Sequence, residues 1–196
     1  TDELGMYAYG GGGYHCVHME EKDFEIFRKR GLTAVTNPAS NLKLASGIAP
    51  VKRFLDEGIA LAIGTDGPAS NNCLDMFREM FLTTALAKVR ENDAACVPAE
   101  EVLYMATTEG ARCMGLSDCD RLAVGKKADL IMIDLCQPNM QPENNILKNI
   151  VYSGSKQNVA MTMVNGRILY ERGVFDIGFD PKEVYAKANA VIRRMK

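Results

Sequence analysis

Asp66 is the residue in this sequence whose type and placement best suit chemistry. It stands in the run IALAIGTDGPASNN over residues 59–72, after Gly64 and directly before Gly67. A carboxylate there can ligate a divalent metal or carry a proton to a leaving group. The competing reading is that Asp-Gly is a common turn dipeptide with no chemical task. His15 and His18, in YHCVHM, are the two histidines of the chain. A histidine aimed at an oxygen can stabilise charge that develops on it. In an alternating strand, residues three apart face opposite sides, so the spacing admits at most one of the two to a shared site.

The elements that position these residues follow from periodicity. Residues 59–64 form a short apolar run bounded by turn residues, which predicts a strand buried on both faces in a parallel sheet. Asp66 then lies just past the carboxyl end of that strand, the end where α/β barrels assemble their active sites. Residues 14–19 and 32–36 read as two further strands. The first follows a Gly10–Gly13 run that suits neither helix nor strand but allows close backbone approach. Between them, acidic Glu20 and Glu21, then Phe24 and Phe27, basic Arg28 to Arg30 and Gly31 describe a helix whose charges suit its dipole. Residues 49–57 make a short helix with Val51, Phe54 and Leu55 on one face. PASN occurs twice, at 38–41 and 68–71, each time directly after a predicted strand. The period matches one βα unit.

Asn37, Ser40, Asn41 and Lys43 fall in the first of these loops, and Ser70, Asn71 and Asn72 in the second. Asn37 and Asn41 read as turn and cap residues, Ser70, Asn71 and Asn72 as loop-shaping and capping residues that place Asp66 indirectly, and Lys43 as a solvated loop lysine, with contact to a substrate group as its alternative. Asn72 is placed to cap a helix over 74–89, with Phe77, Met80, Phe81 and Ala85 as its core stripe. Pro98 opens another helix that ends before Gly115. From Leu122 the pattern changes to short β runs at 129–134, 149–152, 159–164 and 167–170. Asn165-Gly166 joins the last two as a hairpin. Residues 181–196 read as an amphipathic helix with Val184, Ala188 and Val191 or Ile192 inward.

Composition narrows the function classes. The 196 residues carry 23 Lys and Arg against 25 Asp and Glu, with 47% hydrophobic residues and no Trp. No basic block offers a nucleic acid groove or an anionic membrane anchor, which leaves small-molecule chemistry. Cys16, Cys73, Cys96, Cys113, Cys119 and Cys136 contain no C-x-x-C pair and no dense disulfide spacing. They read as reduced thiols of a cytoplasmic protein. No apolar run approaches membrane-spanning length.

Taken together, YHCVHM, NPASNLKLASGIAPV, LAIGTDGPASNN, VGKKADLIMID and VAMTMVNGRILYERG resemble the amidohydrolase superfamily. The nearest branch is that of the 5'-methylthioadenosine/S-adenosylhomocysteine deaminases and related chlorohydrolases. The resemblance implies a (β/α)8 barrel carrying Zn2+ or Fe2+ beside a β-sandwich. Residues 14–19, 32–36 and 59–64 then correspond to barrel strands six, seven and eight. By the same resemblance Asp66 is catalytic, ligating the metal and taking a proton from water. His15 is catalytic and substrate-binding, hydrogen-bonding the attacking water and the tetrahedral centre. His18 matches no functional position. The implied substrate is a small nucleoside such as S-adenosylhomocysteine or methylthioadenosine, losing ammonia; guanine deamination and triazine dechlorination use the same kind of site.

The family's remaining metal ligands, a His-x-His and a further histidine, and its purine-protonating glutamate are not found here. The expectation is therefore a carboxyl-terminal part of an amidohydrolase: 1–118 as barrel, 119–178 as β-sandwich and 179–196 as a terminal helix. The missing barrel half is expected in cis or from a second chain, in a homo-oligomer. The fragment alone is expected to be inactive and its metal position empty. The contrasting expectation is a metal-free, non-catalytic module.

Overall fold

The computed structural model describes residues 1–195. Strands β1 (Gly12–Tyr14), β2 (Thr33–Thr36) and β3 (Leu61–Ile63) form a parallel sheet in that order. Gly12 pairs with Thr33, and Ala34 with Leu61. Parallel neighbours require a crossover. Helix α1 (Glu21–Arg30) supplies the first crossover, and α2 (Pro38–Lys43) with α3 (Val51–Asp56) supplies the second.

The crossover helices are held to the sheet by aromatic packing. Phe24 and Phe27 lie three apart on α1, and Phe54 of α3 meets both, with ring centroids 5.1 and 6.4 Å away. Ala34, Leu61 and Ile63 complete this core from the sheet. Burying one such aromatic contributes about 1.5–3 kcal/mol. Arg53 lies over the Phe24 ring at 3.7 Å and pairs with Glu21 and Glu57, so its charged head covers the outer edge of the core.

After β3 come α4 (Pro68–Asn71), the long α5 (Met76–Glu91), α6 (Ala99–Tyr104), one π-helical turn at Met105–Glu109, and α7 (Gly110–Cys113). A separate antiparallel sheet runs β4 (Leu130–Ile133), β5 (Val159–Val164), β6 (Arg167–Glu171), β7 (Val174–Phe175), with α8 (Ile146–Tyr152) between β4 and β5. The final element is α9 (Pro181–Arg194). The β5–β6 hairpin turns at Asn165 and Gly166, both at positive φ (49° and 79°), as an Asn-Gly turn requires. Among the described residues no helix is long and apolar enough to cross a membrane.

Several sequence expectations are corrected. The first strand, Gly12–Tyr14, begins before the expected 14–19 and shares only Tyr14 with it. A Cβ at Gly12 would sit 2.0 Å from the Thr33 carbonyl oxygen, so close strand approach explains the glycines. Both histidines consequently lie beyond the strand, and the alternation argument about them does not apply. Both PASN segments are short helices and not turns. Each begins with Pro at its first position, where a missing N–H costs nothing.

Asp75, and not Asn72, caps α5, its side chain accepting from the Phe77 N–H at 3.1 Å. The buried face of α5 holds Phe77 and Met80 but also Glu79, Thr83 and Thr84, while Phe81 is exposed. Residues 149–152 belong to helix α8, whose amino end Asn145 caps through the Lys148 N–H. The α9 helix forms as read over 181–194, but Val184, Val191 and Ile192 are exposed. Lys196, the last residue of that expected helix, lies outside the described residues.

Candidate functional site

The chain leaves β3 at Ile63, and Gly64 extends the ladder by donating its N–H to Thr36 O at 2.9 Å. Two residues later Asp66 adopts φ 59°, a left-handed conformation that aspartate tolerates better than most residues. Its carboxylate is encircled by donors. Gly67 N–H donates to Oδ1 at 2.8 Å, and the hydroxyls of Ser40 and Ser70 each donate to Oδ2 at 2.6 Å. These donors, Ser40 foremost, then Ser70 and the Gly67 amide, lower the carboxyl from its ordinary 3.8 to about 2. Asp66 is therefore ionised throughout the neutral range.

His15 faces it. Its backbone is also left-handed, φ 65°, and its N–H is shared between Val35 O at 2.8 Å and Asn37 Oδ1 at 3.4 Å. The ring Nδ1 lies 2.7 Å from Asn41 Oδ1. An amide oxygen only accepts, so Nδ1 donates in this pair and Nε2 is the nitrogen presented to Asp66. Nε2 stands 3.8 Å from Asp66 Oδ2. The side chains are 42% and 30% exposed, so both remain open to solvent or to a ligand. Two residues that hold left-handed backbone while pointing polar atoms at each other are a feature of functional sites.

The two residues singled out by sequence are thus brought together. His18 is exposed and stays apart. Ser40 and Ser70 touch Asp66 directly, a correction of the indirect role expected for Ser70, and Asn37 and Asn41 hold His15 in place of capping. Lys43 is no free loop lysine: its ammonium donates to Ala69 O at 2.8 Å and to Asn72 Oδ1, tying α2 to α4. The recurrence of PASN was the available signal for the paired serines. Cys16, beside His15, is free and is pushed up to about 11 by burial, so it is a thiol and no nucleophile at neutral pH.

An ionised carboxylate oxygen next to an imidazole nitrogen is donor chemistry that a divalent metal accepts. Catalytic zinc takes three protein ligands, however. Among the described residues no group of three or more His, Cys, Asp or Glu side chains is placed to hold a metal. The pair fits as a partial donor set.

The stretch that holds this parallel sheet, the Asp66–His15 pair and most of the antiparallel sheet, residues 7–169, matches the amidohydrolase family. The chain belongs to the amidohydrolase family. It is similar to the 5-methylthioadenosine/S-adenosylhomocysteine deaminase of Moorella thermoacetica, at 44% identity over 196 residues, 100% of this chain and 45% of that protein. Among solved structures it resembles a zinc-bound adenosine deaminase from Xanthomonas campestris, with a TM-score of 0.87 and 36% identity over 92% of this chain and 41% of the other. It also resembles a zinc-bound atrazine chlorohydrolase from Arthrobacter aurescens, with a TM-score of 0.82 and 25% identity over 91% of this chain and 40% of the other. The chain spans 40–45% of the length of the curated relatives it matches.

Proposed function

We propose that this chain forms the carboxyl-terminal share of a metal-dependent hydrolase that removes the exocyclic amino group of an adenine nucleoside thioether, S-adenosylhomocysteine or 5'-methylthioadenosine. The observation that carries the reading is the Asp66–His15 pair: a carboxylate held by two serine hydroxyls, 3.8 Å from an imidazole, at the carboxyl end of a parallel strand. The similarity to deaminases in sequence and in structure supports it. In this reading residues 1–118 supply barrel strands six to eight, 119–178 part of a β-sandwich and 179–196 a terminal helix. The other barrel strands come in cis or from a second chain. Each edge strand of the parallel sheet pairs on one side only among the described residues, and an open parallel edge calls for a partner.

Asp66 and His15 would supply two of the groups around a divalent ion, zinc or iron, and Asp66 would be the ligand. When bound, such an ion brings the pKa of water down towards ~7 and so makes a nucleophile available at neutral pH. The chain's own residues do the rest. Asp66 accepts a proton from the attacking water and delivers it towards the leaving amine. His15 hydrogen-bonds the oxygen that becomes attached to the purine carbon and stabilises its growing charge. Asn41 holds the ring and Asn37 the backbone N–H of His15, and Ser40 and Ser70 hold the carboxylate in place. The protein works in the cytoplasm as a homo-oligomer.

The test is ammonia release by the complete enzyme with added zinc, over adenosine, S-adenosylhomocysteine, 5'-methylthioadenosine and guanine. Preference for the thioethers is the expected result, and no release from any of the four would overturn the reading. A triazine substrate belongs in the panel because the chlorohydrolase shares this fold at 25% identity.

A further inference from the structure

Glu79 lies in the first turns of α5 and is fully buried, 0% exposed. A carboxylate so enclosed is costly unless its oxygens are paired. Both are. Oε2 accepts the Ala39 N–H at 3.0 Å, and Oε1 accepts from Asn71 Nδ2 at 2.7 Å. Ala39 precedes Ser40 and Asn71 follows Ser70, so each oxygen of Glu79 grips the chain neighbour of one serine that donates to Asp66. The same Asn71 Nδ2 also donates to Thr65 O at 2.6 Å, next to Asp66 in the chain. Burial raises the Glu79 carboxyl above its ordinary value, and the Ala39 and Asn71 donors offset part of that rise.

We propose that Glu79 is the positioning residue of the site, a buried staple that fastens the two PASN helices to α5 and thereby holds Ser40 and Ser70 on one oxygen of Asp66. The proposal rests on the hydrolase reading given above. Glu79 touches no substrate; it acts through the serines. Its two acceptor oxygens are what the arrangement needs, since both facing groups are donors. Glutamine has the same shape but only one acceptor, and its amide would meet the Ala39 N–H or the Asn71 amide donor to donor.

E79Q therefore separates positioning from packing. Two quantities are read in the complete enzyme: zinc affinity, by competition with a chelator, and kcat and KM with zinc. The expected result is zinc affinity and kcat each lowered by about tenfold to a hundredfold at unchanged KM, the usual cost of losing an outer partner of a ligand. A lowered melting temperature with unchanged zinc affinity and kcat would overturn the proposal. If E79Q does not fold, N71S removes one of the two donors and is read in the same way, with unchanged values again overturning it. A wild-type enzyme inactive on every nucleoside removes the hydrolase reading, while zinc affinity still decides the role of Glu79. An active wild type with a silent E79Q removes only the latter.

Discussion

Ser40 and Ser70 place their hydroxyl oxygens 2.6 Å from the same oxygen, Oδ2, of Asp66. They come from equivalent positions of the two PASN segments, one after β2 and one after β3. Two parallel strands side by side bring their following loops side by side, and a residue repeated at one βα period arrives at one point in space. The convergence fixes a charge where the sheet opens to solvent.

Removing that charge tests the site directly. Asp66→Asn keeps shape but cannot carry a proton. Deamination by the complete enzyme should fall by about a hundredfold to ten-thousandfold, with the circular dichroism of the folded protein unchanged. Activity equal to wild type would remove Asp66 from the chemistry.

The serines set the acid behaviour of Asp66. Its folded-state pKa is depressed from 3.8 to about 2, so the stabilisation it provides is complete above about pH 4 and is lost as pH falls through about 2. In S40A/S70A the two largest causes of the depression are gone. The midpoint in a carboxyl NMR titration should rise towards 3.8, and the extra stability above pH 4 should shrink. A midpoint that remains near 2 would assign the depression to other groups.

Phe54 is the keystone between the crossover helices. It is 0% exposed and meets Phe24 and Phe27. Phe54→Ala should cost about 3–5 kcal/mol in urea denaturation, as large core truncations do. A loss below about 1 kcal/mol would mean that the surrounding helices collapse onto the cavity.

Gly12 is a steric requirement and no flexible hinge. A Cβ there would overlap the Thr33 carbonyl at 2.0 Å. Gly12→Ala should force β1 off β2, with faster amide exchange at Thr33 and His15 and a stability loss of about 1–3 kcal/mol. Unchanged exchange at both amides would show that the sheet takes up the added Cβ without parting β1 from β2.

The long apolar and alternating segments were legible in the sequence because hydrophobic period is a local property. Residues 32–36, 59–64, 159–164 and 167–170 read as strands and contain β2, β3, β5 and most of β6. The short segments were not legible. PASN carries strong turn residues, yet Pro at the first helical position and packing against α5 turn both copies into helices. Residues 149–152, Asn-Ile-Val-Tyr, look β-like by type, but the Asn145 cap and the burial of Val151 settle them as helix.

The sequence by itself determined that Asp66 follows a buried strand, that His15 precedes the first helix, and that the chain resembles the amidohydrolases. These follow from residue type and order along the chain. Only the tertiary structure decided that Asp66 and His15 stand 3.8 Å apart, that Ser40 and Ser70 share one oxygen of Asp66, and that Asn41 sets the His15 ring. It alone reveals Glu79, which sits on a helix surface pattern as an ordinary charged residue until α2 and α4 close over it. The physical reason is that hydrogen bonds between residues separated by 8 to 40 positions depend on where loops meet in space, and neither period nor propensity carries that information.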